Sequence, residues 1–165
     1  MEYYDTIASG YDELHREEQL KKYRLVMQHF DIGKDDRLLD VGCGTGLFSE
    51  VFVCRITGIE PSWEMLREKK TSDNADYAQG QAEHLPFKEE AFDVVVCVTA
   101  LHNFQKPRKA LEEMRRVSKG RGAITIMRKA KKAEELRILV EEMFKIVKVV
   151  EEDKDCILFF GTGSS

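Results

Sequence analysis

The run Leu38-Leu39-Asp40-Val41-Gly42-Cys43-Gly44-Thr45-Gly46 constrains this chain more than any other. Two leucines and a valine around Asp40 suit a buried parallel strand, and the apolar segment Leu47 to Phe52 after it reads as the start of a helix. Glycines at 42, 44 and 46 let the backbone turn sharply and approach a ligand with no Cβ in the way. A strand, a glycine turn and a helix in succession frame a nucleoside or phosphate site, because the helix start offers unpaired N–H groups. Taken alone, the turn leaves open whether the ligand is a dinucleotide or another nucleoside.

Downstream, apolar strand-like runs alternate with amphipathic helical patterns, the signature of βαβ units around a parallel sheet. Strands are predicted at 37–41, 55–60, around 76–79, 92–99 and 123–127, with helices near 46–53, 62–70, 107–118 and 131–144. Ahead of them, Leu14, Leu20, Tyr23, Leu25, Val26, Met27 and Phe30 fall at partly helical spacing, so 12–30 reads as a leading helix that stops near Gly33. The end of the chain breaks the alternation. Ile146 to Val150 and Ile157 to Phe160 are β-rich runs separated only by a charged turn, too short for a crossover helix, and they predict an antiparallel hairpin. The expected architecture is α/β: a three-layer sandwich around a seven-stranded, mostly parallel sheet with that antiparallel C-terminal hairpin. A chain of 165 residues fits a single domain, 1–165, divided into a leading segment 1–36 and a core 37–165.

Composition excludes more than it selects. The chain sets 26 Lys and Arg against 30 Asp and Glu, a net charge of −4 that gives the whole molecule no pull toward nucleic acid or anionic lipid. No apolar run nears the roughly 18 residues of a membrane span, and the acidic start Met1 to Asp5 lacks the basic and apolar regions of a signal peptide. A soluble, cytoplasmic protein is expected. Cys43, Cys54, Cys97 and Cys156 are too scattered for a disulfide frame or a Cys-x-x-Cys metal site, and read as reduced packing residues with no metal.

Two acids narrow the ligand. Glu60 ends the second strand in Gly58-Ile59-Glu60-Pro61-Ser62, where its carboxylate can accept two hydrogen bonds from a ribose diol. Asp40, just ahead of the glycines, would repel a pyrophosphate and favour a positively charged amino-acid tail. NAD is thereby disfavoured.

Four segments then act together: Asp40 to Gly46, Gly58 to Leu66, Ala82-Glu83-His84-Leu85-Pro86-Phe87 with Phe92-Asp93-Val94-Val95, and Ala100-Leu101-His102-Asn103-Phe104. In that order and spacing they resemble the class I S-adenosylmethionine-dependent methyltransferases, and within them the ubiquinone/menaquinone-biosynthesis-like subgroup, methyltransferase type 11. The match covers about residues 1–128, and the C-terminal hairpin fits that family's last two strands. The resemblance implies a Rossmann-like fold, S-adenosyl-L-methionine as cofactor, and methyl transfer. It implies that Asp40, Gly42, Cys43 and Gly44 border the methionine moiety through the loop backbone and that Glu60 holds the ribose. Ser62 and Met65 would meet the adenine ring, and Gln81, with Ala82 and Glu83 after it, would lie near the adenine amino group. The family usually has an acid where Gln81 stands, but an amide oxygen can still accept from that amino group. Thr99 and Ala100 would stand beside the sulfonium. The opening Tyr3 to Asp12 resembles the family's N-terminal segment, which makes 1–36 a lid with Tyr4 or Tyr11 folded over the cofactor.

Methyl transfer from a sulfonium is an in-line displacement on an already activated donor, so the protein mainly supplies alignment and desolvation. A base helps where the acceptor holds its proton tightly, and His102, at the mouth after the fourth strand, is the candidate catalytic residue. Its alternative role is to shape the pocket wall. The segment Thr99 to Phe104 lacks the Asn/Asp-Pro-Pro-aromatic tetrapeptide used by relatives that act on planar nitrogens, and the short links between the last three strands leave no cap over the site. The acceptor atom is left open among carbon, oxygen and nitrogen, and resemblance to the subgroup implies a carbon or oxygen nucleophile on a small or lipid-like molecule. The rival readings are methylation of RNA or a translation factor with a small activating partner subunit, and a non-catalytic cofactor-binding module. The RNA reading draws on residues 106–132, where eleven Lys or Arg stand against two Glu, either as a phosphate-binding patch or as a solvated helix face.

Overall fold

The computed structural model describes residues 2–69 and 71–161, with side chains from Glu13 onward. Seven strands form one sheet: β1 (Arg37–Val41), β2 (Arg55–Glu60), β3 (Ala75–Gln79), β4 (Val94–Cys97), β5 (Gly122–Met127), β6 (Ile146–Glu151) and β7 (Asp155–Phe160). Their spatial order is β3-β2-β1-β4-β5-β7-β6. The first five run parallel, and β7 lies antiparallel between β5 and β6. The predicted hairpin is therefore present, with its second strand taking the interior place. Side-chain chemistry explains the choice. Every residue of β7 is buried, whereas β6 carries Lys148 and Glu151 outward and can tolerate the sheet edge.

Alternation along the strands divides the core into two layers. Leu38, Val94, Val96, Ala123, Ile157 and Phe159 face helix α1 (Glu2–His29), where Tyr23 and Val26 pack on them. Leu39, Val95, Cys97, Ile124, Leu158 and Phe160 face the other way, against α3 (Pro107–Val117) and α4 (Ala133–Met143). Each fully buried aliphatic or aromatic side chain contributes about 1.5–3 kcal/mol relative to exposure, so these two layers hold the sandwich together. Helix α3 shows the local logic: Pro107 opens it, Arg115 and Arg116 sit in its last turn, and Ala110, Leu111, Met114 and Val117 form its buried stripe.

Three expected elements are shorter than their patterns suggested. The helix predicted at 46–53 is a single 3-10 turn, Leu47–Glu50. Gly46 enters it at φ 79°, Phe48 plugs into the core, and the chain must then turn back to begin β2 at Arg55. The helix predicted at 62–70 is α2 (Trp63–Arg67), capped by Ser62, whose Oγ accepts the Met65 N–H at 3.2 Å. The strand predicted at 92–99 keeps only 94–97, because Phe92 makes an isolated bridge to Ser118 and Thr99 turns to φ 55°. The leading helix, in contrast, begins at Glu2 rather than near residue 12.

Candidate functional site

β1 connects onward to β2 on one side, while β4 lies on the other side and leads to β5, so the order reverses between β1 and β4. At such a switch point the connections diverge and a crevice opens beyond the carboxyl ends of the strands. Its two lips are the glycine loop after β1 and the Thr99-Ala100 segment after β4. They touch: a Cβ on Gly42, itself at φ +77°, would lie 2.5 Å from the Cβ of Ala100. Only glycine fits there.

The loop spends its own amides internally. Gly42 and Cys43 N–H both donate to the Ile59 carbonyl (2.8 and 3.0 Å), Gly46 N–H donates to the Cys43 carbonyl (3.0 Å), and Gly44 N–H donates to Glu60 Oε1 (3.0 Å). The row of unpaired helix N–H groups expected after the glycines is thus replaced by one 3-10 turn and a loop stitched to the end of β2. Cys43 turns its side chain inward, 4% exposed, so close to Gly58 that a Cβ there would meet its Sγ at 2.7 Å. Glu60 completes the stitching, its Oε2 accepting the Ser62 N–H at 2.9 Å. Each Glu60 oxygen has then accepted one hydrogen bond and keeps a lone pair, enough for one further donor apiece.

Asp40 lies on the α1 side of β1, two residues from Leu38, and is completely buried. The Tyr23 hydroxyl donates to its Oδ2 at 2.7 Å, and its Oδ1 has no hydrogen-bond partner among the described residues. Burial pushes its carboxyl up to about 7; the Tyr23 bond opposes that rise and the nearby Glu60 charge adds to it. A buried carboxylate with one orphaned oxygen costs free energy that a cationic ligand would return.

Across the crevice, Thr99 holds a left-handed backbone (φ 55°), which a β-branched residue adopts only when its surroundings impose it. Its N–H donates to Thr125 Oγ1 at 2.7 Å, and its Oγ1 accepts from Lys22 Nζ at 2.9 Å. Lys22 is 8% exposed, and Nζ also lies 3.2 Å from Asp155 Oδ1, close enough to pair in charge but not aligned as a hydrogen bond. His102 is exposed at the mouth, its imidazole held below its usual range by partial burial first and then by the Lys22 charge.

The fold brings Gly44 onto Glu60, Glu60 within electrostatic reach of Asp40, and Gly42 against Ala100, whereas His102 lies where it senses Lys22 and Asp155. Met65 and Trp63 of α2 are 41% and 60% exposed, and the Met65 methyl would lie 3.3 Å from a Cβ on Gly44, which puts an apolar shelf over the loop. Ser62 is occupied in part by its capping bond. Gln81 is exposed and Glu83 half-buried, but Ala82 packs its methyl into the core and has only backbone to offer. The side chains of Tyr4 and Tyr11 lie outside the described residues. Sequence reasoning missed Lys22, Thr125 and Asp155, and saw Tyr23 only as a core position. A tyrosine on the buried stripe of a helix does carry one signal, since its hydroxyl needs a partner.

The eleven basic residues of 106–132 do not form one patch. Lys119 and Arg121 pair with Asp93 and Asp36 at the starting edge of the sheet, while Arg128 pairs with Glu151 beyond the far end of β5. A six-residue strand separates these groups by about 20 Å. Arg116 is wholly structural, bonded to Glu113 and to the Leu85 and Phe87 carbonyls.

A sheet of this order, with a half-satisfied buried carboxylate beside the glycine loop and a second carboxylate at the end of β2, defines a Rossmann-like α/β protein. Residues 39–126 match the family described as a methyltransferase domain, and the chain belongs to the class I S-adenosylmethionine-dependent methyltransferases. It is 32% identical over 131 residues to a demethylmenaquinone methyltransferase of Paenarthrobacter aurescens, covering 74% of this chain and 52% of that protein. The chain spans about half the length of the curated relatives it matches. In fold it is similar to a possible histamine N-methyltransferase of Thermotoga maritima (TM-score 0.71, 21% identity, 97% of this chain and 98% of that one). It is also similar to a chain of the complex between the Haloferax volcanii Trm112 methyltransferase activator and a methyltransferase (TM-score 0.78, 14% identity, 95% and 96%). Among the described residues, no helix is long and apolar enough to cross a membrane.

Proposed function

We propose that the chain is an S-adenosylmethionine-dependent methyltransferase that acts on a carbon, oxygen or nitrogen nucleophile of a small or lipid-like acceptor. The observation that carries this reading is the buried, half-satisfied Asp40 carboxylate beside the glycine loop. Bound S-adenosylmethionine would supply an activated methyl group. Asp40 would face its cationic amino-acid end, the Glu60 oxygens would accept the ribose hydroxyls, and Met65 would cover the adenine, with Ser62, Gln81, Ala82 and Glu83 at its border. Gly42, Cys43 and Gly44 would border the methionine moiety, with Thr99 beside the sulfonium. The whole of 1–165 would act as one unit, with 1–36, Tyr11 included, as its lid. His102, kept neutral by partial burial and by Lys22, is able to take a proton from an acceptor hydroxyl near pH 7. Four free, buried cysteines support a cytoplasmic setting.

Titration calorimetry tests the reading. S-adenosylhomocysteine should bind in the micromolar range, and Asp40→Ala should weaken it more than tenfold. Tight binding of NAD in its place would overturn the assignment.

A small activating partner subunit is the second reading. It is favoured by the fold shared with a chain of the activator complex and by the exposed Trp63 and Met65. Affinity purification of the native protein should then bring down one small protein in stoichiometric amount, and a monodisperse, cofactor-binding monomer would count against it.

A further inference from the structure

Tyr23 stands outside every motif, yet among the described residues it makes the one side-chain hydrogen bond to Asp40. Its position is closely held. Tyr23 is 3% exposed, and its ring meets Phe52 edge-on, with centroids 6.0 Å apart and planes at 89°. That packing aims the hydroxyl at Asp40 Oδ2 (2.7 Å), and Oδ1 has no partner among the described residues. A carboxylate on a strand can rotate about its last bond, and a donor fixed on one oxygen stops that rotation.

We propose that Tyr23 is the positioning residue of the cofactor site: by holding Oδ2 it presents Oδ1 of Asp40 to the cationic amino-acid end of the ligand. The proposal rests on the reading of this crevice as an S-adenosylmethionine site. Among the described residues, the titratable groups that sense Asp40 include Tyr23 from α1, Glu60 from the end of β2, Tyr77 from β3, Cys43 from the loop and Cys97 from β4. Burial keeps both thiols protonated, and Glu60 disfavours a second negative charge, so Tyr23 is the group among them that supports the ionised form. Burial and the Asp40 charge also push the phenol itself upward, so it stays protonated and donates throughout the neutral range.

The sign of the effect follows. The cation needs Asp40 ionised, so affinity declines as pH falls below about 7. Removing the hydroxyl moves that decline to higher pH.

The test is calorimetric titration of the whole protein with S-adenosylhomocysteine between pH 5.5 and 8.5. Relative to wild type, Tyr23→Phe should lose affinity by about eightfold at pH 6.5 and by less than about twofold at pH 8.5, as for a carboxyl raised by one pH unit. Tyr23→Phe keeps the ring against Phe52, and thermal unfolding confirms that the variant is folded at each pH. In an Asp40→Asn background the same substitution should leave no pH-dependent difference. A loss of equal size at every pH, or no loss, would overturn the role of Tyr23 while leaving the cofactor reading in place. Failure of wild type to bind at any pH would overturn both.

Discussion

Asp40 and Glu113 are buried carboxylates on opposite faces of the sheet, and they are treated in opposite ways. Glu113 on α3 is saturated. Its Oε1 accepts the Leu85 N–H (3.0 Å) and an Arg116 N–H (3.2 Å), its Oε2 accepts the Arg116 Nε–H (2.6 Å), and Arg116 goes on to bind the Phe87 and Leu85 carbonyls. Its carboxyl is held below the usual range, mainly by Arg116. Among the described residues Asp40 has one neutral donor, no paired cation and a second acid nearby, and its carboxyl is raised to about 7. The first arrangement uses a carboxylate to pin the 85–87 loop to a helix. The second leaves one buried carboxylate oxygen unsatisfied, which a structural tie would not.

The comparison can be broken most readily at Asp40. A carboxyl whose folded value lies above its unfolded one stabilises fully only below the unfolded value, and that contribution is lost as pH rises through the folded value. Without ligand, thermal and urea unfolding should therefore show Asp40→Asn gaining on wild type by on the order of 3 kcal/mol between pH 5 and pH 8. A flat difference would mean that Asp40 is as well satisfied as Glu113.

A smaller effect is expected on the other face. Arg116→Met strands Glu113 and two carbonyls, and should cost about 2 kcal/mol by urea denaturation, less than a fully buried pair because the Arg116 side chain is 32% exposed. This deficit should shrink as pH falls and Glu113 protonates, the reverse of the Asp40 trend. Affinity of the folded fraction for S-adenosylhomocysteine should stay within about twofold, and a tenfold loss would show that the two regions are not separate.

The strands were legible because alternation of side chains survives in sequence: Leu38 and Leu39, or Ile157 and Leu158, announce opposite faces. Asp40, the glycines and Glu60 were legible because a ligand-binding turn compresses its chemistry into neighbouring positions. The extent of the segment after Gly46 was not, since Leu47 to Phe52 is apolar enough for a helix and only the need to reach β2 cuts it to one turn. The basic segment shows a related limit of reading along the chain. Counting charge along 106–132 ignores that β5 carries the chain the length of the sheet, so adjacent charges in sequence end about 20 Å apart in space.

By itself, the sequence determined the class of fold and the place of Asp40 and Glu60 near the carboxyl ends of β1 and β2, because each depends on periodicity or on residues within a few positions of one another. Tertiary structure alone decided that β7 enters the sheet ahead of β6, that Ala82 turns inward, and that Lys22 and Tyr23 reach Thr99, Asp155 and Asp40. Those contacts span 17 to 77 positions for the two hydrogen bonds. They follow from how a helix settles on a sheet face, and no local pattern encodes that.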